Sequence, residues 1–244
     1  YIGNIIAQNL LQDGRSVISL DNLIYGNQYC VLNKTHFFNY KFVNGDMLQT
    51  NILEPLIQQC DTVILLAGLV GDPITKSYPK ESSLINDSGV KNVIDCCAKN
   101  NTNKFIFVST CSNYGLLKND EYADENYALN PLSLYSKSKV NAEKYILSYL
   151  DKTDMNPTIL RFATAFGLSP RMRFDLTISE FTLDLAMGKN LLVYYSHTWR
   201  TYCHVRDFVL LIRMVIDAPK EKVSWEVFNA GCDANNATKQ KIVD

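Results

Sequence analysis

Tyr135 and Lys139 stand four residues apart in the stretch Tyr135-Ser136-Lys137-Ser138-Lys139, a spacing that puts both on one face of a helix. An ammonium beside a phenol favours the phenolate. Bringing a phenol from about 10 to about 7 takes roughly 4 kcal/mol, and one unit charge at ~4 Å, at an effective dielectric of ~20, supplies about that much. Such a pair can hold a proton-transfer tyrosine near neutral pH. The same spacing also serves a surface tyrosine and lysine on an ordinary amphipathic helix. The Thr110 hydroxyl can share a proton with Tyr135 across a substrate, or bond its own backbone at a strand end. Asp21 lies eighteen residues after Gly3, close to the separation between the last glycine of a dinucleotide fingerprint and the acid that takes the ribose hydroxyls. Asp46 can accept from an adenine amino group, and Gly68 can let backbone approach a diphosphate; both also read as turn residues. Arg200, between Trp199 and Tyr202, reads as a buried cation that grips a phosphate. Arg161, Arg171, Arg173 and Arg206 compete for that role.

These residues need strand ends and helix faces to hold them. Ile2, Ile5, Ile6, Asn9 and Leu10 follow a helical period from the first residues, closed by Asp13-Gly14. A helix with no strand before it reads as a chain whose first strand is missing. Short strands follow at Ser16–Leu20, Phe42-Val43, Thr62–Ala67, Phe105–Val108 and Thr158–Arg161, with helices at Ile52–Cys60, Ile85–Lys99 and after Tyr135. Thr62–Ala67 is continuously apolar, as a strand buried on both faces must be. Strands alternating with helices predict an α/β doubly wound parallel sheet, with ligands beyond the C-terminal strand ends. Asp21, Asp46, Gly68, Ser109 and Thr110 fall there. After Gly167 come a helix near Leu176–Met187, a strand over Leu191–Tyr195 and a helix to about Asp217, which predicts a smaller mixed lobe. The expected division is 1–167 and 168–244, with the second unit interleaved with the first.

The 244 residues are 47% hydrophobic and 20% charged, a composition for a globular core. Net charge is −1, which leaves no electrostatic footprint for nucleic acid and no polybasic membrane patch. No apolar run reaches the roughly 18 residues a membrane span needs. The seven cysteines include no CxxC pair and the three histidines are scattered. That predicts reduced thiols in a cytoplasmic protein and no metal site.

The order Tyr1-Ile2-Gly3, Asp21-Asn22-Leu23, Gly45-Asp46-Met47, Leu66-Ala67-Gly68, Asn86 with Gly89 and Asn92, VSTCSNYG over 108–115, YSKSK, LRFATAFG over 160–167, Ser169-Pro170-Arg171 and RTYCHVRD over 200–207 resembles the extended short-chain dehydrogenases. Within them it is similar to the NAD-dependent nucleotide-sugar epimerase/dehydratase family. The resemblance implies a Rossmann-type sheet that binds NAD and a C-terminal lobe that binds a nucleotide sugar. It implies Tyr135 as acid/base, Lys139 on the nicotinamide ribose, and Thr110 in the family's Ser/Thr position. Ile2, Gly3, Asp21, Asn22, Asp46, Met47, Ala67, Gly68, Asn86 and Ser109, with Tyr135 and Lys139, would line the cofactor. Thr110, Thr164, Arg171 and Arg200 would meet the substrate. It further implies a homodimer pairing through the helices of Asn92 and Tyr135. The family's greater length implies a substrate lobe cut short, in a fragment or a degenerate gene, and a piece without its first strand would fold poorly and bind NAD weakly. Cys111 and Ser112 follow Thr110 where the family's 4,6-dehydratases carry Asp-Glu, so the chemistry expected is epimerisation through a transient keto sugar. The alternatives are a reductase or decarboxylase of the same family, or a non-catalytic NAD-binding protein.

Overall fold

Odd and even residues of the central strands go to opposite faces, and this alternation sorts the helices. The computed structural model describes residues 1–117 and 121–244. It runs α1 (Ile2–Gln12), β1 (Val17–Asp21), α2 (Tyr29–Leu32), β2 (Tyr40–Asn44), α3 (Thr50–Ile57), β3 (Thr62–Leu65), α4 (Asp72–Ser77) and α5 (Pro79–Ser83). A π-helical turn (Leu84–Gly89) leads into α6 (Val90–Lys99), then β4 (Lys104–Thr110), a 3₁₀ turn (Cys111–Tyr114), α7 (Leu134–Leu147), β5 (Pro157–Phe162) and β6 (Thr164–Phe166). The chain continues through α8 (Thr177–Ala186), β7 (Trp199–His204), α9 (Val205–Asp217), β8 (Glu226–Ala230), β9 (Asn236–Thr238) and α10 (Lys239–Val243).

The four-stranded sheet has the order β3-β4-β5-β8, and every neighbouring pair in it is parallel. β1 and β2 form a parallel pair. Ile106, Val108, Leu160 and Phe162 pack with Ile6 and Leu10 of α1 and Phe208 and Ile212 of α9. Phe105, Phe107 and Ile159 pack on the other face with Val93, Ile94 and Cys97 of α6 and Ala142 and Ile146 of α7. This is a doubly wound α/β sheet of the Rossmann type, with α7 laid along one face. The Lys104 ammonium donates to the carbonyls of Val215, Ile216 and Ala218, closing the C-terminal end of α9 where its carbonyls lack helical partners.

β6 pairs parallel with β7, and β7 antiparallel with β9, giving the smaller mixed sheet. Only Ala163 separates β5 from β6, and its N–H donates to Ala230 O. Thr164 therefore sits where the chain leaves one sheet for the other, and β8 returns to the first.

Three local expectations change. Leu191–Tyr195 is not a strand: Leu192, Tyr194 and Tyr195 are exposed, Tyr195 has φ 53°, and no ladder partner satisfies the backbone. The helix expected from Ile85 is π-wound up to Gly89, a distortion that marks functional segments in other helices. β3 is half-buried along most of its length because it lies at the end of its sheet, although its apolar run reads as a central strand.

Candidate active site

α7 begins at a capping box in which Ser133 Oγ accepts the Ser136 N–H and Ser136 Oγ reaches back to the Ser133 N–H. This fixes the first turn, which carries Tyr135 half-buried. One turn on, Lys139 is only 6% exposed. Its Nζ donates to Val108 O at 2.7 Å, lies 4.6 Å from the Phe107 ring centroid and 5.9 Å from that of Tyr135. Burial pulls the Lys139 ammonium down from 10.5 to about 8, and the Glu143 charge opposes that fall. Two residues past Val108, Thr110 ends β4 with its Oγ1 accepting the Ser112 N–H at 3.2 Å. An accepted bond occupies a lone pair and leaves the hydroxyl proton to be donated. The sheet thus brings Thr110, Tyr135 and Lys139 to one strand end.

Beneath them lies a buried polar network. Glu143, 2% exposed, accepts from Ser109 Oγ, from Asn113 Nδ2 at 2.7 Å, and from Arg161 Nη2 at 2.8 Å. Arg161 also donates to Tyr114 Oη at 2.8 Å and to Glu125 O at 3.0 Å. Tyr114 Oη donates to Asn229 Oδ1. Above, the Asn130 N–H donates to Asn113 O, and a Cβ on Gly115, where φ is 75°, would run into Asn130 O. Glycine lets that loop close onto the site.

The cofactor candidates gather along the same edge. One Asp21 carboxylate oxygen accepts the Leu23 N–H at 2.7 Å. Asn22 Nδ2 donates to Asp46 Oδ2 at 2.8 Å, tying the ends of β1 and β2. Met47 is buried against Gly89, where any Cβ would meet the Met47 side chain. Asn86 clamps the backbone after β3: its Oδ1 accepts from Leu69 N at 2.8 Å and its Nδ2 donates to Leu69 O at 2.9 Å. A Cβ on Gly68 would stand 2.9 Å from Asn86 Oδ1. Asn86 therefore holds the Gly68 turn. The Ser109 hydroxyl is likewise committed internally, to Glu143. Ala67, before Gly68 in the chain, is exposed. Ile2 and Gly3 open α1, whose first turn has no side-chain cap.

By donor chemistry these residues fit an adenine dinucleotide. The Asp21 carboxylate suits a ribose diol, the uncapped N–H groups of α1 suit a diphosphate, and the Lys139 ammonium suits ribose hydroxyls.

The arginines are sorted by burial. Arg161 is 5% exposed and ion-paired with Glu143, so it belongs to the interior and no phosphate reaches it. Arg200 is exposed, contrary to its reading as a buried cation. It lies near the start of β7, opposite Ala237 of β9, within electrostatic range of Cys111, whose thiol burial pushes up while Arg200 pulls against. Arg171 packs its guanidinium 4.3 Å from the Tyr25 ring centroid. Arg173 pairs with Asp175 and donates to Val70 O. Arg206 is exposed at the start of α9. Thr164 is half-buried opposite Tyr202.

Glu143, Asn113, Tyr114 and Asn229 are the side chains that sequence reasoning missed. Glu143 continues the Tyr135–Lys139 spacing by another four residues, which is the signal that points to it. Among the described residues no cluster of His, Cys, Asp and Glu could hold a metal ion, and no helix is long and apolar enough to cross a membrane.

Residues 1–231 match the family model described as the NAD dependent epimerase/dehydratase family. The low-salt glycan biosynthesis protein Agl12 of Haloferax volcanii is 26% identical, across 100% of this chain and 79% of that protein. A putative UDP-glucose 4-epimerase of Methanocaldococcus jannaschii is 29% identical, across 95% of this chain and 73% of its own length. Among solved structures, the dTDP-glucose 4,6-dehydratase of Bacillus anthracis in complex with NAD superposes with a TM-score of 0.86 at 25% identity, covering 100% of this chain and 75% of that one.

Proposed function

We propose an activity for a chain that belongs to the NAD dependent epimerase/dehydratase family: epimerisation of a nucleotide sugar through a transient keto sugar. The observation that carries this reading is the Tyr135–Lys139 pair on α7, with Lys139 anchored to Val108 O two residues before Thr110. NAD, when bound, supplies the acceptor and later the donor of the hydride. Tyr135 takes the proton of a sugar hydroxyl as that carbon becomes a carbonyl, and returns it once the opposite configuration is set. Lys139 supplies the positive charge that favours the phenolate, and Thr110 donates its hydroxyl proton to the same sugar oxygen. Asp21 takes the adenine-side ribose hydroxyls and excludes a 2′-phosphate. The first turn of α1 takes the diphosphate. Asn86 keeps the Gly68 turn in place at the cofactor's edge of the sheet. Thr164, Arg171 and Arg200 face the sugar nucleotide from the 168–244 lobe and its junction.

The two residues after Thr110 favour epimerisation over dehydration. Expelling water needs an acid and a base there. Cys111 is a thiol kept neutral by burial, and Ser112 offers a hydroxyl in place of a carboxyl group.

The outer faces of α6 and α7 are the proposed dimer contact. Asp87, Lys91, Ser138, Asn141 and Tyr145 line a cleft of about 480 Å³ there. A reducing, cytoplasmic setting suits the seven free cysteines.

The test is a panel of UDP-, GDP-, CDP- and dTDP-sugars incubated with the protein and NAD, with sugars, NADH and CO2 all followed. An epimer with neither net NADH nor CO2 is expected. Net nicotinamide turnover would make the protein a reductase, released CO2 a decarboxylase, and NAD binding without turnover a non-catalytic member.

A further inference from the structure

We propose that Glu143 is a positioning residue that keeps Lys139 charged and, through Ser109 and Asn113, fixes Thr110 beside it; this rests on the roles of Tyr135, Lys139 and Thr110 proposed for epimerisation. Tyr135, Lys139 and Glu143 form one stripe of α7 at successive four-residue steps. The Glu143 carboxylate takes Ser109 and Asn113, which flank Thr110 on β4 and on the 3₁₀ turn. It takes Arg161 from β5 through Nε as well as Nη2. One buried carboxylate therefore holds α7, β4, β5 and the turn in register.

Packing alone does not explain an ionised group there. A well-packed apolar pair of similar volume is often as stable as a buried ion pair, or more so. What an apolar pair lacks is a field at Lys139, one turn away and nearly as buried. Burial drives that ammonium toward its neutral form, and Glu143 is the charge that opposes it.

Other charged or titratable groups on the packed elements are placed differently. Arg161 lies beyond the carboxylate, and Tyr114 is bonded to Arg161. Arg173 lies within electrostatic range of Tyr135 but is paired with Asp175. Cys111 is neutral, and Lys104 is engaged at the far end of β4. On the solvent side, Lys76 of α4 is exposed, Asp87 accepts from Ser83, Asp95 accepts from Tyr145 and Tyr149, and Lys91 stands 5.2 Å from the Tyr145 ring centroid.

The test tracks Lys139 by 13C NMR in the full chain labelled at lysine Cε, with its signal assigned by loss in Lys139→Met. The wild-type midpoint is expected near 8. In Glu143→Gln it falls by about 1 or more, as loss of a close opposite charge requires, and in Glu143→Asp it stays nearer the wild type. If Glu143→Gln strands Arg161 and unfolds the chain, Glu143→Gln/Arg161→Met takes its place, with a fall in the same direction but smaller, because the Arg161 charge on the carboxylate goes with it. A folded variant without the carboxylate that titrates as the wild type overturns the proposal, as do equal midpoints for the Gln and Asp forms. The alkaline limb of kcat/KM is expected to move with the midpoint. A midpoint that moves while that limb stays fixed indicts the catalytic role of Lys139 and leaves its coupling to Glu143 standing.

Discussion

In the proposed mechanism Lys139 concentrates the chemistry of the site in one ammonium. Its charge is held in a place where burial lowers its affinity for a proton to about 8, and that has two consequences of opposite sense. For activity, the charged form is the one the proposed mechanism uses, so kcat/KM should fall as pH rises through about 8; a profile flat to pH 10 would exclude Lys139 as the required cation. For stability, the depressed value means that the unfolded chain binds the extra proton between about 8 and 10.5. Stability from this group is therefore lowest below 8 and rises across that window, by roughly 1 kcal/mol per pH unit. Urea unfolding of the wild type against Lys139→Met at pH 8 and pH 9.5 reads the difference. The pair of Tyr135 and Lys139 was legible because a four-residue spacing is visible in any helix. Glu143 was not, because a carboxylate on an amphipathic helix reads as solvent-facing until Arg161 and Ser109 are seen to enclose it. Arg200 erred in the opposite direction. Its aromatic neighbours Trp199 and Tyr202 read as cover, but Trp199 is itself 65% exposed and shields nothing.

At the scale of elements, the strands that carry the site are those whose sequence left no choice. Phe105, Ile106, Phe107 and Ile159 are apolar on successive positions because helices cover both faces of β4 and β5. Their C-terminal ends, and so Thr110, follow from that pattern. Leu191–Tyr195 has the same local signature and fails as a strand because nothing pairs with it, a tertiary fact invisible in five residues. The π-turn ahead of α6 was equally hidden, since Leu84–Gly89 fits an ordinary helical period. The join between α7, β4 and β5 depends on Arg161 and Glu143. Arg161→Met leaves the carboxylate buried and unpaired, and is expected to cost about 3–5 kcal/mol, measured as a lower urea midpoint with an unchanged slope. A loss under 1 kcal/mol would show that the pair does not hold these elements together.

At the scale of the molecule, β5 to β6 and β8 weave the two sheets into each other, and the residues after β6 place Arg171 over the Tyr25 ring and Arg200 within electrostatic range of Cys111. The outer faces of α6 and α7 remain open around the cleft near Tyr145. Sedimentation velocity should find a dimer at micromolar concentration, and Asn141→Arg with Tyr145→Arg should return it to monomer while the fold persists; a wild-type monomer would remove this face as the contact. Turnover of the epimerised sugar nucleotide by Tyr135→Phe is the decisive measurement. Loss of the hydroxyl should lower kcat by about 10²–10⁴ with NAD affinity and the unfolding midpoint retained; turnover within a few-fold of the wild type would contradict Tyr135 as the acid–base group.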